Sequence, residues 1–485
     1  YTYAEIDRMA TNLAAALVSE GFGRGERAAV FFDNTVEAVA SLFAVLKAGG
    51  VFLMINPTMK AEKLSFILNN CRASAMLGPA QRYAIIKEAA SGAAHLKKVF
   101  LAGKISGQPL PALCALSYDE AVSSRAELPG ALKQDKDGLA MIIYTSGSTG
   151  SPKGVMMAHS NMTAAAASIT TYLENTAEDI ILNTLPISFD YGLYQVLMAF
   201  KMGATVVLEK SFMYPYRIIE TLLKEKVTGF PIVPTMSSIL LEMDDLRKMR
   251  FPDLRYISNT AAALPPSHIN KLREFFPGAR LYSMYGLTEC KRVSYLPPEE
   301  LDRRPGSVGK AMPGTEAYIV GEDGEKAAPG EIGELVVSGP HVMRGYWEMP
   351  EETAARLKPG ARPGELVLYT GDLFRSDGDG FLYFVGRKDD IIKSRGEKVS
   401  PKEIENVLYS IDGVVESAVI GVPDPVLGQA IKAIIVKREG SEMTEKDVLR
   451  ACSARLEDHM VPKHVEFALS LPKTDTGKIR KAGLS

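Results

Sequence analysis

The sequence predicts an α/β protein: a large N-terminal domain of layered α/β subdomains plus a β subdomain, hinged to a small α+β C-terminal domain. Three observations carry this. Short β-rich runs alternate with helix-period runs through the first part of the chain. From about residue 305 the helices give way to short strands punctuated by Gly, Pro and Asp. The last ~95 residues then read helix, strand, strand, helix. The boundaries follow: a domain over 1–387, its β-rich part about 305–387, and a mobile domain over 388–485.

The elements follow in order. Ile6, Met9, Leu13, Ala16 and Leu17 recur at helical spacing. "RAAVFFDN" is a short β-rich run ending in Asp-Asn. "TVEAVASLFAVLKAGG" is a nearly all-apolar helix closed by Gly49-Gly50, and "VFLMINP" is a strand. The alternation recurs in "ASAMLG", "KKVFLA", "ATVVLEK", "YRIIETLLKEKVTGFPIVP" and "LRYISNT", which argues for parallel pairing. "EAYIVGEDGEKAAPGEIGELVVSGP" and "GELVLYTGDLFRSDGDGFLYFVGR" read as antiparallel strands with tight turns. After the charged run "RKDDIIKSRGEK", Ser400 caps a helix with Pro401 at its first position. "ESAVIGVPD" and "IKAIIVKR" are strands, and "TEKDVLRACSARL" closes as helix.

Composition excludes several classes. Of 485 residues, 46% are hydrophobic and 24% charged, enough for a large core and against wholesale disorder. A formal net charge of −2 gives no electrostatic case for a nucleic-acid partner. Cys71, Cys114, Cys290 and Cys452 are far apart with no CxxC pair, which points to a reducing, cytoplasmic setting rather than a disulfide or metal framework. No apolar run reaches the roughly 18–20 residues needed to span a bilayer.

"LAMIIY" is a strand candidate directly before "TSGSTGSPKG". Glycines allow close backbone approach, successive N–H groups can form an anion nest, hydroxyls add donors, and Lys153 adds charge. The spacing is not that of a Walker A loop, because Lys153 follows Pro152 and precedes Gly154. On spacing alone, a phosphate loop and a plain surface loop both stand.

Four further segments decide between them. "YTSGSTGSPKG", "MYGLTE" (284–289), "YTGD" (369–372), "GRKDD" (386–390) and "PKTDTGKIRK" (472–481) occur in this order. Together they resemble the adenylate-forming superfamily of acyl-CoA synthetases, amino-acid adenylation domains and luciferases. The resemblance covers the whole chain and is closest to AMP-forming acyl-CoA ligases. It implies ATP, Mg²⁺ and CoA as reactants and cofactors. A carboxylate attacks the α-phosphorus of ATP and expels pyrophosphate; a thiol then attacks the acyl carbon and expels AMP.

The resemblance also implies roles. Thr145, Ser146, Gly147, Ser148, Thr149, Gly150 and Lys153 would hold the β- and γ-phosphates. Thr288 would contact the α-phosphate, Glu289 would hold Mg²⁺, and Tyr285 with Gly286 would lie along the adenine. Asp372 would take both ribose hydroxyls and Arg387 the ribose or phosphate. Lys478 would bridge the carboxylate and α-phosphate oxygens, from a stretch that reads as flexible. Asp389 would be the hinge and Gly396 would border the pantetheine tunnel. "SNTAAALP" matches the strand–turn lining the adenine, so Thr260 and Ala261 are candidates. The family often carries Gly-Gly here, whereas this chain has Ala261-Ala262. Alanine resists positive φ, so a different local backbone is expected.

The acid would be bordered by "LPISFDYGLYQ" (185–195). Asp190 there is either the partner of a substrate amine or a solvated or capping residue. Tyr191, Tyr194, Met284 and Val293 are further candidates, and Arg292 either approaches the acid or faces solvent. Three functions stand: a carboxylate–CoA ligase, a stand-alone adenylating enzyme loading a separate phosphopantetheinylated carrier protein, and a nucleotide-binding protein without catalysis. Intact Lys478 and Glu289 argue against the last.

Overall fold

The computed structural model describes residues 1–104, 114–124, 128, 135–145, 152–262, 264–394, 397–424, 427–474, 478–481 and 483–484. They form two compact units. The first comprises Tyr1–Met213, Thr288–Lys291 and Pro340–Ala355; the second comprises Tyr214–Leu287, Arg292–Gly339 and Arg356–Ser485.

In the first unit the helix Tyr3–Ser19 opens with a capping box, in which Thr2 and Glu5 satisfy each other's backbone N–H groups. An eight-stranded sheet follows. Leu139–Thr145, Val51–Met54, Arg27–Val30, Ala73–Pro79, Lys98–Ala102 and Cys114–Ser117 lie side by side in that order. Their pairings are parallel, as the alternation predicts. All four residues of Val51–Met54 are buried, the pattern of a strand covered on both faces. Phe31, Leu53, Ile67, Met76, Val99 and Ile142 pack into one core. The other edge of this sheet is antiparallel: Lys153–Ala158 pairs with Leu139–Thr145, and Gly345–Tyr346 pairs with Lys153–Ala158. The strand that holds "LAMIIY" and the one that opens on Lys153 are therefore antiparallel neighbours. The strands Ile180–Asn183 and Thr205–Leu208 pair in parallel and are joined through the helix Asp190–Met202.

In the second unit Gly229–Ile232, Tyr256–Asn259 and Arg280–Tyr285 are parallel neighbours. Arg280–Tyr285 continues antiparallel into Ser294–Leu296, Ser307–Ala311, Leu382–Arg387, Leu366–Ser376, Gly333–Ser338 and Glu316–Val320. The β-rich region is thus the antiparallel extension of a parallel sheet. The C-terminal residues build a further sheet on the long hairpin Val414–Asp424 and Gly428–Lys437. The strand His464–Ala468, absent from the sequence reading, joins Gly428–Lys437 in parallel. Helix Pro401–Leu408, capped by Ser400 as expected, and helix Glu445–Ser453 bury Ile404, Leu408, Val448 and Cys452 against this sheet.

Candidate active site

The residues expected at the nucleoside lie in the second unit. "YTGD" falls within the strand Leu366–Ser376. Gly371 takes φ +75°, and a Cβ there would sit 2.1 Å from Arg356 Nη1. The left-handed backbone favours glycine, and a larger residue would also make the Arg356 side chain shift. The Thr370 hydroxyl donates to the Leu335 carbonyl (2.8 Å) and accepts from the Asp372 N–H (3.1 Å). This turn presents the Asp372 carboxylate, whose residue is 3% exposed. The Tyr285 hydroxyl donates to Asp372 Oδ2 at 2.5 Å. Arg387, directly opposite on the neighbouring strand, brings Nε to 3.1 Å from Oδ1. Tyr285 lies edge-on to Phe374 and stacks near Phe384, at centroid distances of 4.8 and 6.3 Å. An aromatic wall and a fixed carboxylate thus meet in one corner. Each carboxylate oxygen has two lone pairs, so Asp372 keeps acceptor capacity for ribose hydroxyls.

At the end of Tyr256–Asn259, Thr260 is 2% exposed. Its Oγ1 is buried with no hydrogen-bond partner among the described residues. A buried orphan hydroxyl is costly, so a polar ligand atom fits here. Ala261 corrects the expectation drawn from its side chain: it adopts φ +75°. The left-handed turn is kept without glycine, with the Asn259 side-chain amide donating to the Ala262 carbonyl at 3.0 Å. Gly286 follows the strand end at Tyr285 and is half-buried.

The residues expected at the phosphates lie in the first unit. Thr145 and Lys153 face each other at the ends of two paired strands. Ser146, Gly147, Ser148, Thr149 and Gly150 lie outside the described residues, as does Gly396. Lys153 Nζ sits 2.5 Å from Glu352 Oε2 and 5.6 Å from the ring centroid of Tyr346. The Tyr346 hydroxyl donates to Glu289 Oε1 at 2.8 Å. The Met343 N–H donates to the Glu289 carbonyl, and the buried Lys291 ammonium donates to the Thr288 carbonyl at 2.9 Å. Thr288 and Glu289 are therefore held by backbone as well as side chain. Tyr346, Glu352 and Lys291 were missed in the sequence. The only local signals were an aromatic after Gly345, an acidic pair after Pro350, and a lysine following the motif.

Glu289 offers hard oxygen donors suited to Mg²⁺. Among the described residues no group of three or more His, Cys, Asp or Glu side chains could hold a metal alone. Such an ion would take its remaining ligands from phosphate oxygens and water.

Asp190 is the first residue of its helix and 4% exposed, so it is not a solvated residue. A helix N-terminus favours a carboxylate. Tyr191 and Tyr194 beside it are each 1% exposed. Gly192 allows the helix to close on its own loop, since a Cβ there would sit 2.3 Å from the Pro186 carbonyl oxygen. Met284, Val293 and Arg292 are buried in the second unit, which excludes the solvent-facing reading of Arg292.

Asp389 is exposed in the turn after Leu382–Arg387, where the Asp390 N–H donates back to the Arg387 carbonyl. Lys478 is half-buried. The stretch expected to be flexible is clasped at its base by the Thr474 N–H to Lys478 carbonyl bond (2.7 Å), the Lys478 N–H to Thr474 Oγ1 bond (3.1 Å) and a bridge between Lys473 and Ile479.

A strand opening on Lys153, an anchored Thr-Glu pair and a carboxylate corner fixed by tyrosine and arginine are features expected of an adenylate-forming enzyme. The AMP-binding enzyme family model matches residues 1–347, and the AMP-binding enzyme C-terminal domain matches 403–478. The chain is 32% identical to a long-chain-fatty-acid–CoA ligase of Bacillus subtilis, over 100% of this chain and 89% of the relative. It is 33% identical to a feruloyl-CoA synthase of an Amycolatopsis species, over 99% and 92%. ATP-bound MatB from Rhodopseudomonas palustris superposes with a TM-score of 0.88 at 29% identity, covering 99% of this chain and 92% of that one. The chain belongs to the AMP-binding enzyme family. Its activity is that of an AMP-forming acid–thiol ligase: ATP-dependent adenylation of a carboxylic acid, then thioester formation with CoA.

Proposed function

We propose that the expected site residues share out the parts of ATP as follows. Lys153 and residues 145–150 hold the β- and γ-phosphates, Thr288 the α-phosphate, and Glu289 the magnesium ion. Tyr285, Gly286, Thr260 and Ala261 line the adenine, while Asp372 and Arg387 take the ribose. The observation that carries this is the corner in which Asp372 is aimed by Tyr285 and Arg387. Magnesium, when bound, neutralises phosphate charge.

In the first half-reaction the substrate carboxylate oxygen bonds to the α-phosphorus and the bond to pyrophosphate breaks. Lys478 neutralises the oxygens on which charge gathers. The C-terminal domain, residues 388–485, then turns about Asp389, and Gly396 borders the incoming pantetheine. The CoA thiolate attacks the acyl carbon and AMP leaves. Asp190, Tyr191, Tyr194, Met284 and Val293 border the acid; all five are buried. Cys71, Cys290 and Cys452 are buried and form no disulfide among the described residues, which fits a reducing cytoplasm. Among the described residues no helix is long and apolar enough to cross a membrane.

Lys478→Ala tests the division of labour. Acid-dependent pyrophosphate exchange is expected to fall by at least ~100-fold. Conversion of preformed acyl-adenylate to thioester should stay near the wild-type rate. Undiminished exchange contradicts the assignment.

A further inference from the structure

The lysine of the phosphate loop is held by a segment distant in sequence. Residues 340–353 are clipped along the strand Lys153–Ala158. The Asn161 side-chain amide donates to the Pro340 carbonyl (2.7 Å), the Arg344 N–H to the Met156 carbonyl (2.9 Å), and the Trp347 N–H to the Gly154 carbonyl (2.7 Å). The Trp347 indole N–H donates to the Asn70 carbonyl at 2.9 Å. The Thr353 hydroxyl accepts from the Tyr346 N–H at 2.9 Å and donates to the Met349 carbonyl at 2.8 Å, which folds the helix Pro350–Arg356 back onto the clip. This rigid path delivers the Glu352 carboxylate to the Lys153 ammonium at 2.5 Å. The lysine side chain is 16% exposed and the glutamate 45%.

We propose that Glu352 is the exchange partner of Lys153, a positioning residue for the pyrophosphate half of the reaction. The inference rests on the phosphate role given to Lys153 above. An ammonium is a compact point charge on a flexible stem with three donors. Glu352 keeps it at the start of its strand, and the β- and γ-phosphates draw it away. When pyrophosphate departs, the carboxylate reclaims the ammonium, so the product is released against a competing anion. Pyrophosphate is held through its phosphates alone, whereas ATP is also held through its adenine and ribose, so the competition is a larger share of pyrophosphate retention than of ATP capture. Tyr346 supports the exchange by offering its ring face to the ammonium while its hydroxyl holds Glu289.

The test is pyrophosphate inhibition of acyl-CoA synthesis in Glu352→Gln, Glu352→Asp and Lys153→Met variants, with the ATP KM measured beside it and thermal unfolding as a check of folding. Glu352→Gln is expected to lower the pyrophosphate inhibition constant about twofold to fivefold, the scale of one partly exposed ion pair. The ATP KM should fall less and the acid KM should not move. Glu352→Asp should return toward wild type. An unchanged or weakened pyrophosphate inhibition in Glu352→Gln overturns the inference. If Lys153→Met leaves both the ATP KM and pyrophosphate inhibition at wild-type values, the phosphate role of Lys153 fails instead, and the inference with it.

Discussion

Tyr285 and Asp372 stand 87 positions apart, yet the tyrosine hydroxyl donates to the aspartate carboxylate at 2.5 Å. One residue ends a strand of the parallel sheet and the other sits in the antiparallel extension. The continuity of that sheet brings them together. Asp372→Asn keeps the shape and removes the charge. Its ATP KM is expected to rise about 10–100-fold, the value of hydrogen bonds to a charged group. Tyr285→Phe, which loses one donor and keeps the ring, should cost about tenfold or less. Equal ATP KM values across wild type and both variants contradict the ribose corner.

Ala261 holds φ +75° where the related motif commonly has glycine. A left-handed alanine costs about 1–2 kcal/mol, and glycine returns part of any gain through the entropy of the unfolded chain. Ala261→Gly is therefore expected to stabilise the protein by about 0.5–1 kcal/mol. Urea unfolding measures this, and a net destabilisation shows that the methyl group packs usefully.

His268 is 7% exposed, on the helix Pro266–Phe275, with Ser237 Oγ 3.2 Å from Nδ1 and the Tyr409 ring edge-on at 5.3 Å. Burial first, then Lys271 and Lys402, lowers its pKa from 6.5 to about 4. The folded state therefore refuses a proton that the unfolded chain accepts. This group costs nothing above pH 6.5; stability is lost as pH falls from 6.5 to about 4, and the loss is complete below. The full loss is at most about 3 kcal/mol. His268→Gln should flatten this part of the stability–pH curve. Parallel curves for variant and wild type between pH 7 and 4.5 contradict the assignment.

Local patterns made much of this legible. Alternating strands and helices gave the parallel sheets, and "YTGD" and "MYGLTE" gave the corner only through the family resemblance that the five ordered motifs carry together. The rest depended on pairings between distant segments. Lys153 opens a strand rather than ending a loop, and its partner Glu352 lies 199 positions away. A helical acidic pair after proline ordinarily reads as a first-turn charge, so nothing local singled out Glu352. At Ala261 propensity pointed the wrong way, since the surrounding turn overrides the preference of one side chain. Asp190 and Arg292 could have faced water on charge alone; burial within their own units settled that.

The central claim is that one chain first joins a carboxylic acid to AMP and then exchanges AMP for CoA. Pyrophosphate exchange into ATP without CoA, over a panel of amino and non-amino carboxylic acids of graded size, tests it most directly. The account predicts that at least one acid supports exchange, and that adding CoA yields acyl-CoA and AMP in equal amounts. Formation of ADP and phosphate, or exchange with no acid of the panel, would contradict it.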